Sequence, residues 1–176
     1  MNKSIVKRAL AAILAAATLL SVSGLALAVP DEITGHWAQE TLAQWVDAGY
    51  LNGDENGKLL PDKAVTRAEF MAMMNRRVGY TAKADISNYA DVSPNAWYYG
   101  DVAIGVQAGY LNGTSAIAMS PERRITRQEM AVVIARVCGL EDDAAALNSF
   151  ADAGDFADYA KGPAGAAVAA GLLQGD

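Results

Sequence analysis

The chain has 176 residues, of which 52% are hydrophobic and 19% are charged, and its formal net charge is −6 at pH 7. A disulfide scaffold is excluded because Cys138 is the only cysteine. The acidic balance argues against an extended nucleic-acid surface, which needs a basic face to displace counterions.

Residues 1–28 have the pattern of a secretory signal peptide. Three basic residues within the first eight precede an almost uncharged run that ends in Ala26-Leu27-Ala28, a small-x-small cleavage pattern. A retained membrane anchor is the alternative, because the apolar run is about long enough to span a bilayer. Ser21, Ser23 and Gly24 interrupt that run and favour cleavage. We therefore expect an exported mature chain of 148 residues with a net charge of −9 (11 basic against 20 acidic residues) and no membrane span.

The remaining chain matches itself at an offset of 60 residues, which indicates a repeat architecture. The matches pair Trp37 with Trp97, 48–53 with 108–113, Pro61 with Pro121, Thr66-Arg67 with Thr126-Arg127, Glu69 with Glu129, and Gly79 with Gly139. Asp31 and Asp91 precede the two units at the same place, and a third copy begins near Phe150 with Tyr159 close to the tryptophan position. We expect repeats at 29–80 and 89–140 and a partial repeat at 150–176. The partial repeat indicates either a fragment or a truncated gene, and we favour a fragment.

Each unit is predicted to fold as helix, loop, helix, which makes the protein all-α. In the first unit an apolar stripe precedes Gly49, a residue suited to the left-handed cap of a helix; the stripe consists of Trp37, Leu42, Trp45 and Val46. The second helices open with Thr66 to Glu69 and Thr126 to Glu129, which have the form of a capping box. Their predicted buried faces are Phe70, Met73, Met74 and Val78, and Met130, Val133, Ile134 and Val137.

In this order the motifs resemble the S-layer homology (SLH) domain family. The resemblance rests on Asp31, His36-Trp37-Ala38, 49–53 and 65–69 in the first unit, and on Asp91, Trp97, 109–113 and 125–129 in the second. It implies repeats packed around a pseudo-threefold axis, in a non-catalytic module that anchors exported proteins to the cell wall. The implied partner is a secondary cell-wall polymer linked to peptidoglycan, often carrying a pyruvylated sugar. The implied location is the cell surface.

Carried over from the family, the ligand-binding residues are Arg67, Arg127, Trp37, Trp97, Asp31, Asp91, Gly53 and Gly113. An arginine just inside a helix N-terminus, beside free backbone N–H groups, suits a sugar carboxylate, and tryptophan offers a flat face to a sugar ring. Structural alternatives stay open at this point. The tryptophans could pack in a core, and the two aspartates could cap their first helices.

Other chemistries find little support in the sequence, and we expect neither a metal nor a cofactor. The segment Asn52 to Gly57 resembles the start of a calcium loop, but Lys63 stands where a bidentate glutamate would be needed, so we interpret it as a turn. Zinc and hydrolase sites are disfavoured by one histidine and one cysteine. The rival hypothesis is that the chain is the N-terminal anchor of a larger S-layer protein, an exported glycan-active enzyme or an outer-membrane porin.

Overall fold

The structure is a computed structural model that describes residues 30–175, so the predicted signal peptide lies outside the described residues. Five α-helices are present there: α1 (Gln39–Asp47), α2 (Arg67–Val78), α3 (Tyr99–Gln107), α4 (Arg127–Val137) and α5 (Asp158–Ala169). Short 3-10 helices cover Asp31–Ile33, Ala144–Ser149 and Ala153–Asp155. Within 30–175 the sole β pairing is an isolated antiparallel bridge between Thr66 and Arg124, so the predicted all-α fold is confirmed.

The described residues form two compact units, one within 27–133 and the other within 134–176, and the boundary between them falls inside α4. In the first unit α2 packs against α3; in the second, α5 packs against the 3-10 helix Ala144–Ser149. The described helices have at most 12 residues, and none combines the length and apolar character that crossing a bilayer requires.

The helices α1, α3 and α5 all end in the same way. Gly49, Gly109 and Gly171 follow the helix ends with φ of +72°, +78° and +71°, in the left-handed region that glycine enters without strain. The N–H groups two residues further on, in Leu51, Leu111 and Leu173, each donate back into the last helical turn at 3.2 Å. The segment that the sequence predicts to be a partial third repeat thus contains a helix, α5, with a glycine stop of the same kind.

The second helices begin with the predicted capping boxes. Thr66 Oγ1 accepts from the Glu69 N–H at 3.2 Å, and Glu69 Oε2 accepts from the Thr66 N–H at 2.8 Å. The same reciprocal pair joins Thr126 and Glu129, at 3.3 and 3.0 Å. These bonds satisfy donors that the helix itself cannot pair.

The buried face of α2 differs in part from the prediction. Phe70 and Met74 are buried as expected, but Met73 is half-buried and Met71 lies in the core instead. The buried face includes the polar Asn75, whose Nδ2 donates to the Asp101 carbonyl and carboxylate at 3.0 and 2.9 Å and whose Oδ1 accepts from the Tyr110 hydroxyl at 2.6 Å. A pattern of apolar residues cannot locate a face that contains a polar side chain. Val78 is half-buried as well.

The other predicted faces are correct only in part. In α1, Leu42, Trp45 and Val46 are half-buried, whereas Trp37 precedes the helix and is exposed, so it does not belong to the apolar stripe of α1. In α4, Val133 is buried, whereas Met130, Ile134 and Val137 are half-buried. The small residues Ala131 and Ala135 take buried places in α4 that the prediction did not include.

In the second unit, α5 lies unusually close to its neighbour because its packed face is built from small residues. Ala160, Ala164 and Ala167 are buried there. A Cβ placed on Gly165 would lie 1.8 Å from the Asp143 carbonyl oxygen, so only glycine permits this approach.

Candidate ligand-binding site

The two tryptophans lie on the same backbone turn in both repeats. In the first repeat the His36 N–H donates to the Ile33 carbonyl, and the Gln39 N–H donates to the His36 carbonyl. The second repeat reproduces this turn 60 residues later, from Ser93 through Ala96 to Tyr99. Trp37 is 91% exposed and Trp97 is 63% exposed. Of the two alternatives left open for these rings, the structure therefore excludes the core and places both at the surface.

Arg67, by contrast, is buried at the junction of the two repeats, with 5% of its surface exposed. Its Nε donates to the Met119 carbonyl at 3.0 Å and its Nη2 to the Asn112 carbonyl at 3.1 Å. Its Nη1 donates to Glu129 Oε1 at 3.2 Å. We call this set of contacts, from Arg67 to Asn112, Met119 and Glu129, the Arg67 clasp. The clasp fastens the start of α2 to the loop and second helix of the next repeat.

Glu129 is the acceptor at the centre of the clasp. Its carboxylate accepts from Arg67, from Arg123 and from the Thr126 N–H. Burial alone would raise the pKa of Glu129, but the Arg123 and Thr126 hydrogen bonds and the charge of Arg67 hold that pKa below its usual 4.5. Glu129 is therefore a carboxylate within the junction over the neutral pH range.

The N–H groups at the start of α2 are not free, so that part of the sequence expectation is wrong for this helix. The Arg67 N–H donates to the Arg123 carbonyl at 2.8 Å, and the Ala68 N–H donates to the Pro121 carbonyl at 2.8 Å. The next N–H group, that of Glu69, is taken by the threonine cap. Backbone carbonyls of the second repeat therefore occupy the N–H groups that would otherwise bind an anion at the start of α2.

Arg127, at the equivalent position in the second repeat, has an exposed side chain at the start of α4. The two tetrad arginines therefore differ in surroundings although their motifs match.

Asp91 binds the loop of its own repeat. Its carboxylate oxygens accept from the Met119 N–H at 2.8 and 3.2 Å and from the Ser120 N–H at 2.7 Å. Ser120 has a φ of +52°, which costs energy for a residue with a Cβ, and the hydrogen bond that its N–H donates to Asp91 helps to hold it there. Asp91 thus supports the segment whose Met119 carbonyl receives Arg67.

Asp31 lies in the 3-10 helix Asp31–Ile33 and is exposed. The helix-cap alternative is wrong for both aspartates, because α1 and α3 begin after Ala38 and Tyr98, without a side-chain cap.

Gly53 and Gly113 are required by the loops in which they lie. Gly53 has a φ of +73°, and a Cβ there would lie 2.8 Å from the backbone of Gly57. A Cβ on Gly113 would lie 2.5 Å from the Ser115 carbonyl oxygen and 2.6 Å from the Tyr89 ring. The space beside both glycines is therefore occupied by their own repeat.

The calcium-like segment is a turn, as predicted. Asp54 Oδ1 accepts from the Asn56 and Lys58 N–H groups at 2.8 and 2.9 Å, and these bonds, that of Lys58 first, lower the pKa of Asp54. Across residues 30–175, no three acidic, histidine or cysteine side chains come together as a metal site would require.

Sequence reasoning missed the acceptors of the Arg67 clasp. Two of the three are backbone carbonyls, of Asn112 and Met119, and backbone carbonyls carry no residue signature. The third, Glu129, was assigned to capping, which it performs as well. The repeat of Asn52-Gly53 at Asn112-Gly113 was a sequence signal that the backbone of this loop is constrained.

The S-layer homology domain profile matches residues 31–71 and 88–131. The Surface-layer 125 kDa protein of Lysinibacillus sphaericus is 35% identical over 167 residues, which is 95% of this chain and 14% of that protein. The Cellulosome-anchoring protein of Acetivibrio thermocellus is 34% identical over 76 residues, 43% of this chain and 17% of that protein. The Exoglucanase XynX of the same organism is 26% identical over 150 residues, 83% of this chain and 14% of that protein. The chain thus spans about one seventh of the length of such relatives, and by its two matched segments it belongs to the S-layer homology domain family.

Proposed function

We propose that this chain is a non-catalytic module that anchors an exported protein to the bacterial cell wall by binding a wall glycan. The observation that carries the proposal is that two S-layer homology domains expose a tryptophan on the same backbone turn. Surface-layer proteins and a cellulosome-anchoring protein among the relatives support it. The predicted secreted, cell-surface location is confirmed by this family membership and these relatives.

Within that function, the exposed members of the predicted site are the proposed ligand contacts. Trp37 and Trp97 offer apolar faces on which sugar rings stack, which removes C–H surface from water. Arg127 supplies a local positive charge, which an acidic protein needs in order to attract the carboxylate of a pyruvylated sugar. The exposed carboxylate of Asp31 accepts from sugar hydroxyls.

The remaining members of the predicted site act in this proposal as positioning residues. Arg67 and Asp91 hold the loop of the second repeat through its backbone. Gly53 and Gly113 allow the two loops to close. The proposed ligand is a secondary cell-wall polymer attached to peptidoglycan.

A second possibility concerns what the module anchors. The relatives include the Exoglucanase XynX, an Amylopullulanase and several surface-layer proteins, each much longer than this chain. By analogy with these relatives, the same module would be the anchoring part of a larger S-layer protein or of a glycan-active enzyme, whereas the outer-membrane porin stays a prediction from the sequence. The complete reading frame distinguishes these cases by what it encodes beyond Asp176.

The test is co-sedimentation of the chain, residues 29–176, with purified cell-wall sacculi. We expect the wild type to sediment with intact sacculi and to remain in solution after the polymer has been extracted from them. Changing Trp37 and Trp97 to alanine should weaken retention by about tenfold or more, since each substitution removes the apolar contact area of one ring stacked on sugar. Ile117→Ala, which removes another exposed apolar side chain, serves as the matched control and should sediment like the wild type. Equal retention with extracted sacculi would refute the polymer as ligand.

A further inference from the structure

Each exposed tryptophan contacts an aromatic ring next to it in the chain. The ring of His36 lies 5.5 Å from that of Trp37, tilted by 37°. The ring of Tyr98 lies 5.3 Å from that of Trp97, nearly perpendicular to it. One partner precedes its tryptophan and the other follows it, so the offset of 60 does not pair them.

The two partner rings nevertheless bind the same position of their repeats. His36 Nε2 lies 3.3 Å from Asp62 Oδ1, and the Tyr98 hydroxyl donates to Glu122 Oε1 at 3.3 Å. Asp62 and Glu122 are 60 residues apart, each directly after the loop proline. Two different sequence solutions thus fasten the tryptophan turn to the loop of the same repeat.

We propose that His36 with Asp62, and Tyr98 with Glu122, are tethers that hold Trp37 and Trp97 in the orientation in which they stack on sugar, which makes these four residues positioning residues for glycan binding. This inference depends on the proposed function, since it concerns the same tryptophans. His36 and Tyr98 touch no ligand in this account; they act through the indole that each contacts.

The physical reason is the entropy of an exposed side chain. An indole with solvent on most sides moves among rotamers, and a ligand that stacks on it must stop that motion, which costs binding free energy. A neighbouring ring that is itself held by a hydrogen bond restricts the indole in the free protein, so less side-chain entropy is lost when the ligand binds. Tyr98 suits this role because it is buried, and burial together with the Glu122 charge raises its pKa, so the hydroxyl keeps the proton that it donates.

In the first repeat, the His36 ring is fixed at both nitrogens. Nδ1 accepts from the Ala38 N–H at 3.1 Å while Nε2 faces Asp62. A neutral ring with its proton on Nε2 satisfies both contacts.

The first experiment measures the tether without any ligand. In a chain where Trp37 and Trp45 are phenylalanine, Trp97 is the sole tryptophan, and its fluorescence anisotropy decay reports local motion of the indole. We expect Tyr98→Phe, which removes the donor, and Glu122→Ala, which removes the acceptor, to increase the amplitude of the fast component. Tyr99→Phe, which removes the neighbouring hydroxyl, should leave the decay unchanged. An unchanged decay in Tyr98→Phe would overturn the tether.

The second experiment measures binding of polysaccharide extracted from cell-wall sacculi, in a double-mutant cycle. Tyr98→Phe should weaken binding by about two- to tenfold, the equivalent of immobilising one side chain. The same change made together with Trp97→Ala should have no further effect, because the residue through which it acts is gone. A loss that persists without Trp97 would overturn the inference. If the wild type binds no polysaccharide, the proposed function fails, and the anisotropy measurement still decides the tether.

Discussion

The Arg67 clasp gives a prediction whose size can be worked from the structure. Replacing Arg67 by methionine keeps an unbranched chain in the buried space but removes the hydrogen bonds that Arg67 donates to the Met119 and Asn112 carbonyls and to Glu129. Removing one partner from a buried ion pair costs about 3–5 kcal/mol, because the other charge stays buried without it. Glu129 keeps its bonds from Arg123 and Thr126, so the cost should lie near the lower end, at about 3 kcal/mol.

The assay is urea unfolding of residues 29–176 followed by circular dichroism at 222 nm, and thermal melting should show the same loss as a midpoint lower by about 10 °C. Arg124→Met is the matched control: Arg124 lies next to the clasp, but its side chain is exposed, and its cost should stay within about 0.5 kcal/mol. A loss below about 1 kcal/mol in Arg67→Met, or equal losses in both variants, would refute the view that the clasp joins the repeats.

Two further predictions concern stability. The pKa of Glu129 is lower in the folded chain than its usual 4.5, so the ionised carboxylate stabilises the fold fully above pH 4.5 and this stabilisation is lost as pH falls through the folded pKa. Glu129→Gln should therefore be less stable than the wild type near neutral pH, yet lose less stability on acidification. Urea unfolding midpoints at about pH 7, 5 and 3 would measure this difference. Gly165→Ala should destabilise the unit 134–176 by about 1–3 kcal/mol, because the added Cβ would collide with the Asp143 carbonyl. Gly154→Ala is the control, since open space surrounds Gly154, and it should change stability little. Equal thermal midpoints for the two variants would contradict the close packing of α5.

The local structure of the repeats was predictable because its causes lie within a few residues of each other. The capping boxes join residues three apart, and the glycine stops depend on the conformational freedom of a single position. The family resemblance, drawn from the same motifs, is confirmed by the matched segments.

Which residues face the core was harder to predict, because hydrophobicity alone does not decide it. Asn75 is buried in α2 because Asp101 and Tyr110 satisfy its amide, and Met71, four residues earlier, is buried on the same face of the helix, whereas Met73 is half-buried. Trp37 is as apolar as the core residues, but it lies on a turn before α1 where little covers it. Burial at both positions depends on neighbours from other elements, which the local sequence does not specify.

In the candidate site, too, some features were predictable from the local sequence and others depended on packing. The sequence by itself determined the period of 60 residues, the helix starts and stops, and the residue types present at each repeat position. Only the tertiary structure decided what lies opposite each of them. Glu69 and Glu129 close the same capping box, yet Glu69 meets Lys63 of its own repeat, whereas Glu129 meets Arg67 from 62 residues away. The physical reason is that backbone geometry repeats with the local sequence, while the partners of a long side chain depend on which element packs beside it.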